Sequence, residues 1–427
     1  MNLDELLNLD PDECDEHNRT LFDRETRGND GTLVFFGAST LGRIMLDAMR
    51  ARKRGVLAFA DNRPLLWGTE VDGVEVLSPR DAVAAFPAAA FVVTIYHDAD
   101  VRRQLAEMGC RHATSVAAMI WKHDLICPTQ RGYGSARTAT AAADEIRAAF
   151  ALLADEESRQ VFLAQLQWRM KLGSGKIPAR PPREAYFPAD LFALGEDEVF
   201  IDGGAYDGDS IRDFLSRTGG KARRVVGIEP DPVQYGTLLA YAREHADVIE
   251  TYLAALSGVA GEVPFLATGR MDARISDQGT TRVESITLDD LAHHWPTFVK
   301  LDIEGYEAEV LQGGRRMIAH SRPVLAVCAY HKYADLWEIP RLLHDIAPDF
   351  SIHLHAYSEG WWELICYAVP PERLRAACPR CRGRGKVFFG GLGPESHFGE
   401  CPDCLGTGTL QGISSPKREI TGASPTN

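Results

Sequence analysis

The alternation of apolar runs and amphipathic stretches along the chain outlines a series of strands and helices. Leu33–Phe36 is a buried-strand run, followed by a helical stretch from Arg43 to Arg54 and a second strand at Val56–Ala60. A strand at Phe91–Ile95 and a helix at Val101–Met108 complete a first α/β unit over residues 31–127. In residues 136–183, Ile146, Phe150, Leu153, Val161, Phe162, Gln165, Leu166 and Met170 recur at helical spacing, which predicts a connector of one or two helices. The segment Gly173–Arg183 reads as a Gly/Pro-rich loop. From residue 184 to 371, apolar runs at Val199–Ile201, Val225–Ile228, Val248–Leu253, Phe298–Leu301, Val324–Ala329, Ser351–His355 and Trp362–Val369 alternate with helical stretches. That order predicts a mainly parallel α/β sheet, with the two closely spaced final strands forming an antiparallel edge.

The centre of this second unit is VFIDGGAYDGDS. A strand ends in Asp202, the glycines Gly203, Gly204 and Gly208 follow, and a helix opens near Asp209; the next strand ends in Glu229. Such a β-loop-α-β unit lets a ligand approach the backbone and places an acid to hydrogen-bond a ribose. The acidic Asp207 and Asp209 at the helix start would repel a pyrophosphate, which favours a cationic ligand over a dinucleotide. Further along, Asp302 and Glu304 follow a strand's carboxyl end, where open α/β sheets place ligands. His331 follows the Val324–Ala329 strand and reads as a candidate base. Thr287 and Asp290 are spaced as a capping box.

The first unit carries a weaker echo. Gly37-Ala38-Ser39-Thr40-Leu41-Gly42 approximates a dinucleotide loop with Ser39 at the middle glycine, and Asp61 closes the following strand. Two readings stay open: a nucleotide, NAD(P) or nucleotide-sugar site, or a structural domain that has lost its ligand.

With 427 residues, a formal charge of −14, and 45% hydrophobic and 25% charged residues, the chain reads as several globular domains and not as a general nucleic-acid binder. No apolar run is long enough for a membrane span. Residues 1–30 are acidic and polar, lack the features of a signal peptide, and read as a poorly ordered leader. Five cysteines are scattered, whereas Cys378, Cys381, Cys401 and Cys404 form two CxxC pairs. Four thiolates at this spacing suit a closed, tetrahedral, structural Zn²⁺ site over residues 376–410, and imply a reducing cytoplasmic setting. Residues 411–427 are polar and read as disordered.

Four blocks carry a resemblance: VFIDGGAYDGDS, Gly227–Pro232 (GIEPDP), TLDDL at Thr287–Leu291, and VKLDIEGYEAEVLQGG at Val299–Gly314. Over about residues 184–371 they resemble the FkbM family of S-adenosylmethionine-dependent methyltransferases. Where that family's first motif reads D-x-G-A-N-x-G, Tyr206 replaces the Asn. The resemblance implies a Rossmann-like methyltransferase fold and O-methylation of a hydroxyl on a sugar, glycan or small-molecule secondary metabolite. It implies S-adenosylmethionine held by Asp202, Gly203, Gly204, Gly208, Glu229 and Asp302; by its place after a strand on the same rim as Asp302, His331 is read with Asp302 as the catalytic pair. The cysteine units, each CxxCxGxG, resemble half of the zinc-binding region of DnaJ-type chaperones, a module through which a protein partner would dock. A third reading makes the methyltransferase fold a scaffold and the zinc module the working part.

Overall fold

The computed structural model describes residues 1–29, 31–95, 98–125, 134–174, 176–270 and 273–375, with the backbone of a hairpin at 386–390 and 397–400. The expected α/β architecture is present, and it is built on two principal sheets. In the larger, seven strands run in the spatial order Ser351–Ala356, Leu364–Val369, Val324–Cys328, Phe298–Leu301, Val199–Gly203, Arg224–Ile228, Ile249–Tyr252. Six run in one direction, and Leu364–Val369 enters antiparallel between Val324–Cys328 and Ser351–Ala356. Numbered along the chain, the order is 3-2-1-4-5-7-6. The direction of winding reverses between the first and fourth strands, Val199–Gly203 and Phe298–Leu301, and such a switch point opens a crevice at the strands' carboxyl ends. These strands read as continuous apolar runs because helices cover both faces; Val199, Phe200, Ile201, Phe298, Val299 and Leu301 are all buried.

The smaller sheet has six strands, centred on Leu33–Phe36 between Val56–Ala60 and Ala90–Val93. Its glycine turn is closed on itself. Asp61, the acid that a nucleotide ribose would require, accepts hydrogen bonds from the Ala38 N–H at 2.9 Å and from the Arg63 N–H and guanidinium at 2.8–2.9 Å. A Cβ on Gly42 would lie 2.0 Å from the Gly37 carbonyl oxygen, so this glycine serves helix packing.

The leader expected to be poorly ordered is helical. Leu3–Leu7 and Pro11–Thr26 are α-helices. Asn2 and Glu5 form a capping box, and Asp10 caps the second helix with Pro11 in its first turn. Sparse apolar residues supply the anchoring: Leu6 and Phe22 are fully buried. Buried Asn18 donates to the Met170 carbonyl at 3.1 Å and accepts from the Leu172 N–H at 2.8 Å. Three helices, Ala136–Ala141, Ala143–Leu152 and Glu156–Met170, form the connector and share one apolar core with the seven-stranded sheet.

Between Tyr252 and Phe298 lies a four-stranded sheet, ordered Ala255–Leu256, Thr281–Ile286, Gly261–Leu266, Arg274–Ile275. Thr287 and Asp290 do exchange hydrogen bonds with each other's backbone N–H, at 2.9 and 3.2 Å. Among the described residues no helix is long and apolar enough to cross a membrane. The four CxxC cysteines and residues 411–427 lie outside the described residues. The hairpin between the cysteine pairs joins Lys386–Gly390 to His397–Glu400 in antiparallel register.

Candidate active site

The crevice at the switch point is an open cleft with a cavity volume of about 200 Å³. Its floor is the turn around Gly204 and Tyr206. Gly204 takes φ +75°, and a Cβ there would sit 1.9 Å from the Asp302 carbonyl oxygen, so the first and fourth strands can approach this closely only through a glycine. Gly208 takes φ +89° and caps the Asp209–Arg217 helix. Gly203 is closed in by Leu256 and Leu301 and serves packing beneath the floor. Tyr206 is left-handed as well, at φ +49°, the position where the FkbM motif carries an Asn, which tolerates that conformation better.

Glu229 closes one end. It is 6% exposed and lines the cleft. Its Oε2 accepts from the Tyr206 N–H at 2.9 Å and its Oε1 from the Asp231 N–H at 2.8 Å. Burial pushes the carboxyl up to about 7, against the pull of those two N–H groups. An ionised carboxylate has about four lone-pair sites, so the two N–H donors leave acceptor capacity facing the cleft.

Asp202 does not face the cleft as the sequence suggested. It is fully buried, with Oδ1 2.8 Å from Lys300 Nζ and Oδ2 bonded by the Ser210 hydroxyl. Burial pushes Asp202 up and the Lys300 ammonium opposes it. Lys300 in turn donates to the Gly204 carbonyl at 3.0 Å and lies 5.1 Å from the centroid of the Tyr186 ring. Burial disfavours its charge, but Asp202 and Asp302 more than restore it, holding the lysine protonated. The pair ties the first strand to the fourth beneath the cleft. Asp207, expected to bias the loop electrostatically, is paired with Arg212 at 2.8 Å.

At the opposite end, Asp302 Oδ2 accepts from the Tyr186 hydroxyl at 2.7 Å, and Oδ1 accepts from Tyr330 at 3.4 Å. Burial raises the Asp302 carboxyl, but Lys300, His331 and Tyr186 outweigh it and hold the group below its ordinary range. His331 is 3% exposed, with Nδ1 2.8 Å from Glu307 Oε1 and Nε2 3.4 Å from Asp302 Oδ1. Burial acts to lower its basicity, yet Glu307, Glu304 and Asp302 together push it up to about 10. An imidazole with that affinity carries its proton at neutral pH, so in this arrangement His331 is not the base the sequence suggested. Glu304 shows the reverse: burial, with Asp302 and Glu307 nearby, pushes its carboxyl up to about 8.

Lys300, Glu307 and Tyr330 were not singled out as site residues in the sequence. Lys300 had a signal, as a lone charge inside the run FVKL. Glu307 is one of several acids in EGYEAE, and nothing local distinguishes it.

Comparison with known families adds the chemistry that this geometry suits. Residues 202–353 match the family described as Methyltransferase FkbM domain. The match supports a methyltransferase function, and it spans both ends of the cleft, from Asp202 through Glu229 and Asp302 to His331. The structure of Methyltransferase FkbM from Methylobacillus flagellatus KT superposes with a TM-score of 0.62 at 24% identity, covering 82% of this chain and 93% of that one. That likeness shows a shared fold for the FkbM-like domain and most of its surroundings. The precorrin-6y C5,15-methyltransferase of Geobacter metallireducens GS-15 aligns at 15% identity over 42% of this chain and 82% of that one, with a TM-score of 0.28. Comparison with curated proteins gives no match.

Proposed function

We propose that the FkbM-like domain transfers a methyl group from S-adenosylmethionine to a hydroxyl of a small molecule or glycan. The observation that carries this reading is Glu229: a buried carboxyl, raised to about 7, with unfilled acceptor positions toward a cleft at the sheet's switch point. Two ribose hydroxyls are donors of the kind it lacks. The cofactor fits the donor set, since its cationic end would find Asp302 and Glu304 within a cleft that carries Glu229 at the far side. When bound, S-adenosylmethionine supplies an electrophilic methyl group on a sulfonium.

The chain's own contribution is mainly placement. Gly204 brings the floor backbone close to the ligand. Glu229 fixes the nucleoside end. Tyr186 and Tyr330 hold the Asp302 carboxylate in position and ionised, where it accepts a hydrogen bond from an acceptor hydroxyl. Lys300 stabilises the strand ends under both. Without a bound cation, His331 keeps its proton and fixes the Asp302 side of the rim by charge. The acidic rim suits a neutral, hydroxyl-bearing acceptor better than a carboxylate.

The experiment is transfer of labelled methyl from S-adenosylmethionine to molecules in an extract, followed by mass spectrometry, for the wild type and Glu229→Ala. Label in a hydroxyl-bearing product, lost in the variant, is the expected result. Absence of any labelled product, together with no calorimetric binding of S-adenosylmethionine, would remove the reading.

For the C-terminal cysteines we propose a structural zinc bound by Cys378, Cys381, Cys401 and Cys404. The spacing supports it, as does the hairpin that separates the two pairs. Anaerobically purified protein should carry about one zinc per chain; well under one by elemental analysis would exclude it. A protein partner for this module and a cytoplasmic location follow the same reading.

A further inference from the structure

The rim of the cleft opposite Glu229 holds a second arrangement that positioning of an acceptor does not account for. Asp302, Glu304 and Glu307 converge on one imidazole. Ligand-type atoms of Asp302, Glu307 and His331 lie within 4.8 Å of one another. The His331 side chain is 3% exposed, yet its Nε2 makes no hydrogen bond. That nitrogen points at Asp302 Oδ1, 3.4 Å away, and at Glu304 Oε1, 3.8 Å away. Both carboxylates line the cleft. On the other side of the ring, Nδ1 meets Glu307 Oε1 at 2.8 Å, and that oxygen is held by the Ile303 N–H at 3.0 Å and the Gly305 N–H at 3.4 Å.

We propose that Asp302 Oδ1, Glu304 Oε1 and His331 Nε2 form a binding site for a divalent cation of the Mg²⁺ or Mn²⁺ class, with Glu307 orienting the imidazole from behind. Three observations support it. The buried Nε2 makes no hydrogen bond, and a cation there would displace the proton that the surrounding carboxylates otherwise hold on the ring. A carboxylate behind a histidine, fixing its tautomer and raising its basicity toward a metal, is the usual support of a ligating imidazole. The spacing also fits: ligands at about 2.1–2.2 Å from a common ion stand about 3.0–3.5 Å apart. Asp302 already meets this distance, and the long Glu304 side chain needs to move by only a few tenths of an ångström. Two carboxylates and one imidazole, without thiolate, favour a hard cation, of which Mn²⁺ best accepts the nitrogen. The face of the site toward the cleft is open, so further positions would be filled by water or by an acceptor oxygen. If the domain methylates a hydroxyl, the cation would bind that oxygen and lower its pKa, so that its proton leaves to solvent near neutrality. This role rests on the methyltransferase reading, whereas the site itself does not.

The test uses the full chain after treatment with a chelator, titrated with MnCl₂. Free Mn²⁺ is followed by electron paramagnetic resonance, and binding heat by calorimetry. One saturable site is expected. Glu307→Gln should weaken it about 10–100-fold, and Glu304→Gln and His331→Ala should abolish it, with circular dichroism confirming that the variants fold. No saturable binding to folded wild type, or equal affinity in wild type, Glu304→Gln and His331→Ala, would overturn the proposal. S-adenosylmethionine binding is measured separately on the same samples. Mn²⁺ binding without S-adenosylmethionine binding would leave the cation site standing and remove the methyltransferase reading. S-adenosylmethionine binding without a Mn²⁺ site would do the opposite.

Discussion

Burial of Glu229 makes a pH signature. An ordinary glutamate ionises near 4.5, and this one is held up to about 7 by burial. Ribose hydroxyls donate more strongly to the ionised form, so a bound ligand pulls the group back toward ionisation and releases a proton. Affinity for S-adenosylmethionine should therefore be flat above about pH 7 and fall by up to about tenfold per unit below it. Glu229→Gln should bind more weakly and lose that slope. Calorimetry at pH 5.5, 6.5 and 7.5 in two buffers of different ionisation heat checks both affinity and proton release. The sign for the free protein is opposite: a carboxyl raised above its unfolded value favours the fold at low pH. Its contribution is lost as pH rises from about 4.5 to 7. Beside it, Tyr206 holds a left-handed backbone at φ +49° while its N–H serves Glu229. Tyr206→Asn relieves strain without touching that N–H and should stabilise the protein by about 1 kcal/mol, read as a higher melting temperature. An unchanged or lower value would mean that the ring's packing matters more than its backbone. The sequence exposed these positions because glycines and acids at strand ends are local signals. It did not expose Asp202's true partners, since Lys300 lies 98 residues away and becomes its neighbour only through parallel pairing of the two strands.

The element that most shapes the site without entering it is the Glu156–Met170 helix. Apolar periodicity marked it as packing, and Phe162 and Leu166 are indeed core. Arg169, in the last turn of this helix, is 2% exposed. Its guanidinium donates to the carbonyls of Tyr333 at 2.6 Å, Ala329 at 3.1 Å and Lys332 at 3.2 Å. Those carbonyls bracket Tyr330 and His331, so the connector helix fixes the turn that brings both to the rim. Removing the donor leaves buried carbonyls unsatisfied. Arg169→Met should cost about 3–5 kcal/mol and weaken Mn²⁺ binding before it weakens S-adenosylmethionine binding, because Glu229 lies at the other end of the cleft. Denaturant titration and the two binding measurements check this; equal loss of both ligands would mean general unfolding instead of a local effect. A sequence cannot announce such an arginine, because three acceptors in one turn are a property of the assembled backbone. The strand runs were legible for the opposite reason. Phe298–Leu301 was read with its observed limits, since a fully buried parallel strand must be apolar along its whole length and DIEG stops it abruptly.

At the scale of the molecule, the two sheets looked separable in sequence, each a complete α/β unit with a linker between. The leader changes that. Along the single helix Pro11–Thr26, Cys14 sits in the core that contains Val299 and Leu325 of the larger sheet. Two turns later, Leu21 and Phe22 sit in the core that contains Phe35 and Phe59 of the smaller one. Trp361 and Trp362, from the loop before the larger sheet's antiparallel strand, join that second core. The leader helix therefore reaches the cores of both sheets, and the smaller sheet's core also takes Trp361 and Trp362 from the larger unit; the acidic composition of residues 1–30 hid this because few apolar side chains suffice for such a helix. Such a strut couples the domains' stabilities. Scanning calorimetry of the full chain should show the two sheets melting in one transition, with van't Hoff and calorimetric enthalpies equal for that step. Phe22→Ala, at a site without exposure, should lower stability by about 3–5 kcal/mol. Since Phe22 touches only the smaller sheet's core, an uncoupled molecule would lose only that sheet's transition and keep the larger one in place. Coupled domains would instead shift together, and saturating S-adenosylmethionine, bound in the larger sheet, would raise the melting temperature of the whole. Two transitions in the wild type, only one of them responding to ligand, would show that the helix bridges the cores without joining their unfolding.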